Sequence, residues 1–119
     1  MEITLRFVKS LPPIVDPTEE SLVNDYVGVA ISYAIWDKGV LSEASQENIL
    51  DHIKEDMAEN DVDDIDPQYV FDLVKEAVDK LFTDEENKNI LRCLEEQTIV
   101  DVKQSAISKD YATYWVEIS

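Results

Sequence analysis

The feature that most constrains the fold is a long apolar helix predicted between Asp16 and Gly39. Asp16 is a good N-cap, Pro17 suits the first helical position, and Gly39 can take the left-handed conformation that follows a last turn. Apolar side chains cover most of the circumference between these ends. A helix of this kind must be enclosed on several sides, so we expect it to form the core. The narrow small or polar stripe consists of Ser21, Asp25, Gly28 and Ser32.

Two further amphipathic helices follow this core helix. The second is predicted from a cap at Ser42 or Ser45 to near Asn60, and the third begins with Asp66 as N-cap and Pro67 as first residue. Both carry apolar residues at helical spacing on one side only, which predicts one buried face each. The predicted inward residues are Ile49, Leu50, Ile53 and Met57, then Tyr69, Val70, Leu73, Val74, Ala77, Val78 and Leu81.

A fourth helix is predicted after a capping box formed by Thr83 and Glu86, and it should run to about Glu96. We interpret Cys93 on this helix as a small buried apolar group and not as a nucleophile. The predicted inward residues of the helix are Ile90, Leu91 and Leu94.

Alternating sequence at both ends of the chain predicts strands. Apolar and polar residues alternate from Glu2 to Val8, and an extended connector at residues 11–14 follows. From Thr98 the period is again two, with Val100 and Val102 predicted on one side. A hairpin turn near residues 108–110 leads to a last strand whose inward residues are Ala112, Tyr114, Val116 and Ile118.

These elements predict an α+β fold in the order β-α-α-α-α-β-β. A lone terminal hairpin is marginally stable, so we expect the first strand to complete a mostly antiparallel three-stranded sheet with the four helices on one face. Residues 1–119 should form a single domain, because this length suits one ordinary core. The sequence has neither a secretory signal nor an apolar run long enough to span a bilayer, and its one cysteine cannot form an internal disulfide. We therefore expect a cytoplasmic protein.

Charge is the unusual property of this chain. It contains 27 acidic and 10 basic residues, for a net charge of −17. Phosphate backbones and anionic membranes repel such a protein, whereas basic protein surfaces attract it. Residues 43–86 hold 16 acids and 3 bases, so most of the excess is local. Solubility or adaptation to a salty cytoplasm would also favour acidic residues, but neither requires so local a distribution. The eight lysines against two arginines, with eleven isoleucines, are typical of AT-rich bacterial or phage coding sequences.

No residue pattern predicts catalysis, a metal site or a cofactor. His52 has Glu55 and Asp56 three and four positions later, but no second histidine or cysteine ligand accompanies it. The acidic loop at Asp61–Asp66 fails as an EF-hand, because Ile65 and Asp66 stand where a ligand and a turn glycine belong. With two glycines in the chain there is no phosphate-binding loop. We expect a protein that is not an enzyme and needs no cofactor, although an enzyme or metal-dependent regulator using His52 and nearby carboxylates stays open as an alternative.

One constellation rises above the general acidity: five acidic residues follow one another at intervals of four on the second helix. At about 1.5 Å rise per residue, neighbouring members lie about 6 Å apart along the axis, on the side opposite Ile49 and Ile53. Each like-charged pair costs roughly 0.2–0.5 kcal/mol, so stability alone does not favour the row. This acidic ridge is Glu43, Glu47, Asp51, Glu55 and Glu59, and Asp61, Asp63 and Asp64 continue it.

The ridge predicts a protein-binding module that occupies a basic site on a partner. The site could be one that normally binds nucleic acid, on a nuclease, a toxin or another nucleic-acid-binding protein, so that this chain would act as an inhibitor, a DNA mimic or an immunity or antitoxin protein. The alternative is a structural or adaptor subunit whose acidity serves only solubility. Its contact surface, and that of any homodimer, would be the outer sheet face at Tyr111, Thr113 and Trp115.

Overall fold

The computed structural model describes residues 1–9, 11, 13–108 and 110–119, and it confirms the predicted element order. Parts of the predicted connector and of the predicted hairpin turn, at Pro12 and Lys109, lie outside the described residues. The described part of the chain forms four helices and one three-stranded antiparallel sheet. The elements are β1 (Glu2–Val8), α1 (Pro17–Trp36), α2 (Glu43–Glu59), α3 (Pro67–Leu81), α4 (Glu85–Arg92), β2 (Ile99–Ile107) and β3 (Tyr111–Ile118).

The sheet has the strand order β1-β3-β2, so the last strand lies between the other two. Leu5 pairs with Tyr114, and Val102 pairs with Val116. Alternation along β1 and β3 buries one face of the sheet against the helices and leaves the other face exposed, as predicted. The closest helical neighbours of the sheet are α1 along β2 and α4 beside β1, whereas α2 packs on α1 and α3.

The prediction that Val100 and Val102 share one side of β2 is wrong. The pairing register with β3 shifts between Ile99 and Asp101, which is the signature of a β-bulge. The extra residue leaves Val100 half exposed, while Ile99 and Val102 pack against the core. A bulge depends on how two strands pair, so a strict period of two along one strand could not reveal it.

Helix α1 forms the centre of the core, as its apolar circumference predicts. Its N-cap is Asp16, whose carboxylate accepts hydrogen bonds from the backbone N–H groups of Thr18 at 2.8 Å and Glu19 at 3.1 Å. Gly28, in the small stripe, is buried, and its carbonyl accepts a 2.7 Å hydrogen bond from the hydroxyl of Tyr114. Burial raises the pKa of that hydroxyl. Because Gly28 has no side chain, Tyr114 of the sheet can reach the backbone of α1 at this stripe.

The C-terminus of α1 has two consecutive residues with left-handed φ. Lys38 takes the first position after the cap with φ of 58°, and Gly39, the predicted left-handed residue, follows with φ of 110°. The N–H of Gly39 bonds to the carbonyl of Ala34 and that of Lys38 to Ile35, which is a Schellman motif. Gly39 is still needed, because its φ is 110° and an added Cβ would lie 3.1 Å from Leu91.

Helix α4 begins one residue later than predicted and ends earlier. The N-cap is Asp84, whose carboxylate accepts from the N–H groups of Glu86 and Asn87, while the hydroxyl of Thr83 donates to the carbonyl of Lys80. The predicted capping box at Thr83 and Glu86 is therefore wrong, since an ionised carboxylate one residue later takes its place. The helix ends at Arg92 and not near Glu96, with turns leading into β2.

A buried asparagine, Asn87, joins α4 to β1. Its side-chain oxygen accepts from the N–H of Val8 at 3.2 Å, and its amide donates to the carbonyls of Val8 at 3.1 Å and Leu81 at 2.9 Å. Asn87 thereby satisfies backbone groups on the outer edge of β1, where no strand is paired in the described sheet. The local sequence does not predict this contact, because Asn87 and Val8 lie 79 residues apart in the chain.

Candidate partner-binding surface

The acidic ridge occupies the solvent side of α2. Ser42 caps this helix, with its hydroxyl accepting from the N–H of Ser45 at 3.1 Å, so the predicted start at Ser42 is confirmed. The opposite side of the helix is buried at Ile49, Ile53 and Met57. All five ridge residues, Glu43, Glu47, Asp51, Glu55 and Glu59, are exposed.

Basic side chains do not neutralise the ridge within the described part of the chain. The two ion pairs found there join Lys88 to Glu85 at 3.9 Å and Lys103 to Asp101 at 3.8 Å, and both lie away from α2. The last turn of α2 contains no basic residue. The ridge therefore presents a row of carboxylates to solvent, and Lys54 on the same helix forms neither of these ion pairs.

The acidic extension begins where α2 ends. Asp61 takes the left-handed position after the helix, with φ of 55°, and the N–H of the next residue, Val62, bonds to the carbonyl of Met57 at 2.8 Å. Val62 and Ile65 pack against the core and thereby tie down the loop. Asp61, Asp63 and Asp64 remain exposed, whereas Asp66 caps α3 through a 3.0 Å bond from the N–H of Gln68. The first three acids of this loop are therefore available for binding, whereas Asp66 is used as a helix cap.

A cleft of about 290 Å³ lies beside the ridge, between α1 and α2. The hydroxyl of Tyr26 donates to the carboxylate of Asp56 and also lies 3.1 Å from the carbonyl oxygen of His52. Burial raises the pKa of this hydroxyl, and the bond to Asp56 and the nearby charge of Asp25 add to the effect. Sequence spacing placed Asp56 beside His52, but the structure gives Asp56 a partner on another helix. The cleft is lined by Asp25, Tyr26, Val29, His52 and Asp56.

The residues considered for metal or nucleophilic chemistry do not form a site in the described ranges. No group of three His, Cys, Asp or Glu side chains is arranged to hold a metal ion there. Cys93, which the sequence analysis placed in the core, is exposed, and that prediction is wrong. It lies just after α4, because the helix ends at Arg92 and Cys93 no longer follows its inward stripe.

The second candidate surface is the outer face of the sheet. Trp115 is 53% exposed and Tyr111 is 39% exposed, and Thr113 lies between them on β3. The guanidinium of Arg6 on β1 lies 3.8 Å from the centre of the Tyr111 ring, a cation–π contact. Arg6 forms neither of the ion pairs in the described structure. This face is therefore aromatic and close to neutral, unlike α2.

Comparison with protein-family models, curated proteins and solved structures found no match. Among the described helices, none combines the length and the apolar character required to cross a membrane. The function must therefore be argued from the two surfaces.

Proposed function

We propose that this protein binds a basic site on a partner protein through the acidic ridge of α2 and its extension at Asp61, Asp63 and Asp64. The observation that carries the proposal is the exposed row of five carboxylates at intervals of four, without a basic partner in the described structure. Such a row complements a cleft lined with lysine or arginine. The protein would then act as an inhibitor, a nucleic-acid mimic or an immunity or antitoxin protein.

The energetics of α2 support this proposal over simple solubility. Four like-charged pairs at i, i+4 cost on the order of 1–2 kcal/mol in total, and acids at the C-terminal end oppose the helix dipole. Lys54 is the one base on this helix. A soluble surface could alternate acids with lysines and avoid this cost. A basic partner would convert the same repulsion into attraction.

The charge spacing sets the kind of partner. Ridge carboxylates rise by about 6 Å per step along the helix axis, whereas one strand of B-form DNA carries a charge about every 3.4 Å. The ridge thus has roughly half the linear charge density of one strand over a length of about 24 Å. The ridge suits a cleft in which lysine or arginine side chains recur about every 6 Å. A nuclease, a toxin or another nucleic-acid-binding protein could carry such a cleft. The proposal places this encounter in the cytoplasm and assigns the protein neither catalysis nor a cofactor.

The test begins with capture of a partner from an extract of the native host on the immobilised protein at low salt. We expect a basic protein that elutes as the salt concentration rises, and that duplex DNA or RNA displaces at low salt. A partner that stays bound at high salt and is released by Trp115→Asp would contradict the ridge. It would support the adaptor function, which the exposed Trp115 and Tyr111 favour as the second candidate.

A further inference from the structure

The charges on the outer sheet face are separated along the strands. At one end, Glu2 pairs with Glu117, and Glu117 pairs in turn with Asp101, so three carboxylates form a row across the sheet. Near the other end, the guanidinium of Arg6 lies over the ring of Tyr111. Successive residues on one strand face rise by about 7 Å per pair, so these ends lie roughly 15–20 Å apart. Lys103 lies 3.8 Å from Asp101 at the first end and leaves that acidic end two units negative, whereas Arg6 makes the other end, the basic end, positive.

The same face carries an exposed indole and, at its other end, a hollow that is large enough to receive a side chain. The indole of Trp115 is half exposed, two residues from Glu117 at the acidic end. A hollow of about 320 Å³ lies at the basic end. A smaller hollow of about 100 Å³ lies at the acidic end and is lined in part by Trp115, so the two ends differ in the size of their hollows as well as in charge. The larger hollow is lined by Arg6, Ala106, Ser108, Tyr111 and Thr113.

We propose that the outer sheet face binds a second copy of this chain, with the strands of the two copies antiparallel across a two-fold axis between Thr113 and Trp115. This arrangement places the Trp115 of each copy beside the larger hollow of the other. It also places the Glu117 of each copy opposite the other's Arg6. A parallel arrangement would instead bring the two acidic rows together, which is electrostatically unfavourable. The contact is isologous, so each attractive pair occurs twice.

The size of the face predicts a weak and reversible dimer. Three strands about 4.8 Å apart and eight residues long cover a flat area of roughly 350 Å² per copy, below the roughly 800 Å² per partner of a standard stable interface. Three negative side chains and two positive ones give this face a net charge of −1: Glu2, Asp101 and Glu117 against Arg6 and Lys103. The repulsion between two copies therefore comes mainly from charges outside this face. Moderate salt screens this long-range repulsion between the copies more than it weakens ion pairs that are in direct contact. This inference is independent of the ridge.

Sedimentation equilibrium on the full chain at moderate salt tests the proposal. We expect concentration-dependent dimerisation of the wild type, and a rise of tenfold or more in the dimer dissociation constant for Arg6→Glu and for Glu117→Arg alone. An equimolar mixture of these two variants should dimerise again, because each cross-contact then joins opposite charges. Circular dichroism of both variants should match that of the wild type, because both substituted side chains are exposed.

Two controls make the outcome specific. Glu47→Gln on the ridge should leave the dimer dissociation constant within a factor of two, and Trp115→Asp should raise it tenfold or more. A wild-type chain that stays monomeric at millimolar concentration would overturn the proposal and leave the face to a different protein. A dimer that survives Arg6→Glu, or a mixture that fails to restore association, would overturn it as well.

Discussion

The two longest helices end in the same backbone motif but carry opposite charges there. After α1, Lys38 takes the left-handed position, and its ammonium donates to the carbonyls of Glu95 at 3.1 Å and Gln97 at 2.6 Å. After α2, Asp61 takes the equivalent position and so adds a negative charge at the negative end of the helix dipole. The same local geometry therefore holds a stabilising charge in one helix and a destabilising one in the other.

The two helices also differ in how much of their surface is buried. Helix α1 is buried on most sides, so packing determines which residues it can carry. Helix α2 buries one stripe, and its opposite side carries charges that weaken the helix. Folding therefore does not explain the acidity of α2, and we propose that this acidity serves binding.

The largest expected effect on stability comes from reversing the charge after α1. Lys38→Asp should lower the free energy of unfolding by about 2 kcal/mol, because it removes two charge-assisted hydrogen bonds and places an anion at a helix C-terminus. Urea denaturation measures this change. Lys38→Gly keeps the backbone conformation and should lose less than half as much. An equal loss in both variants would show that the sign of the charge after α1 does not affect stability, and would contradict the contrast drawn between Lys38 and Asp61.

Neutralising the centre of the ridge should have the opposite sign. Glu47→Gln, Asp51→Asn and Glu55→Gln together should raise the free energy of unfolding by about 1–1.5 kcal/mol at low salt, because four like-charged pairs disappear. The gain should shrink towards zero in about 1 M salt, where the Debye length is about 3 Å. Thermal and urea unfolding at two salt concentrations check this. A variant less stable than the wild type at low salt would contradict the claim that the ridge opposes folding.

Tyr26→Phe removes the polar contact between the two helices and should lower the free energy of unfolding by about 1 kcal/mol at neutral pH. The folded protein raises the pKa of Tyr26, so it retains this proton above about pH 10, where an unfolded tyrosine loses it. The contribution of Tyr26 is therefore complete below pH 10 and is lost as the pH rises further. We expect the gap between wild type and variant to narrow between pH 10 and 11. A gap that widens with pH would contradict the raised pKa.

The smallest expected effect concerns Asp61 itself. Asp61→Asn should raise the free energy of unfolding by about 0.5 kcal/mol, because asparagine tolerates the left-handed conformation and carries no charge opposed to the dipole. Asp63→Asn, which removes the same charge beyond the helix end, is the matched control and should change stability by less than half as much. Equal gains would attribute the effect to net charge alone.

Local signals predicted the parts of the fold that depend on neighbouring residues. The caps at Asp16, Ser42 and Asp66 and the inward stripe of α2 followed from spacing alone, because helix ends and faces are local properties. The bulge that exposes Val100 and the bond from Asn87 to Val8 could not be predicted in this way. Each arises from pairing between segments that are distant in the chain.

The same distinction applies to the candidate surfaces. Intervals of four predicted that the ridge would be exposed, since residues so spaced share one side of a helix. The bond between Tyr26 and Asp56 was missed, because it joins two helices across 30 residues. The stacking of Arg6 on Tyr111 was missed for a similar reason, because it depends on the register of β1 against β3. That the ridge binds a partner stays a prediction.

The most direct test of the central claim compares two triple variants for affinity to the isolated partner. The ridge variant carries Glu47→Gln, Asp51→Asn and Glu55→Gln, and the control carries Glu86→Gln, Glu95→Gln and Glu96→Gln, three exposed acids outside α2. Each variant reduces the negative charge by three units. The account predicts that the ridge variant binds at least tenfold more weakly at low salt, while the control stays within about threefold of the wild type. Equal losses in both, or no loss in either, would contradict it.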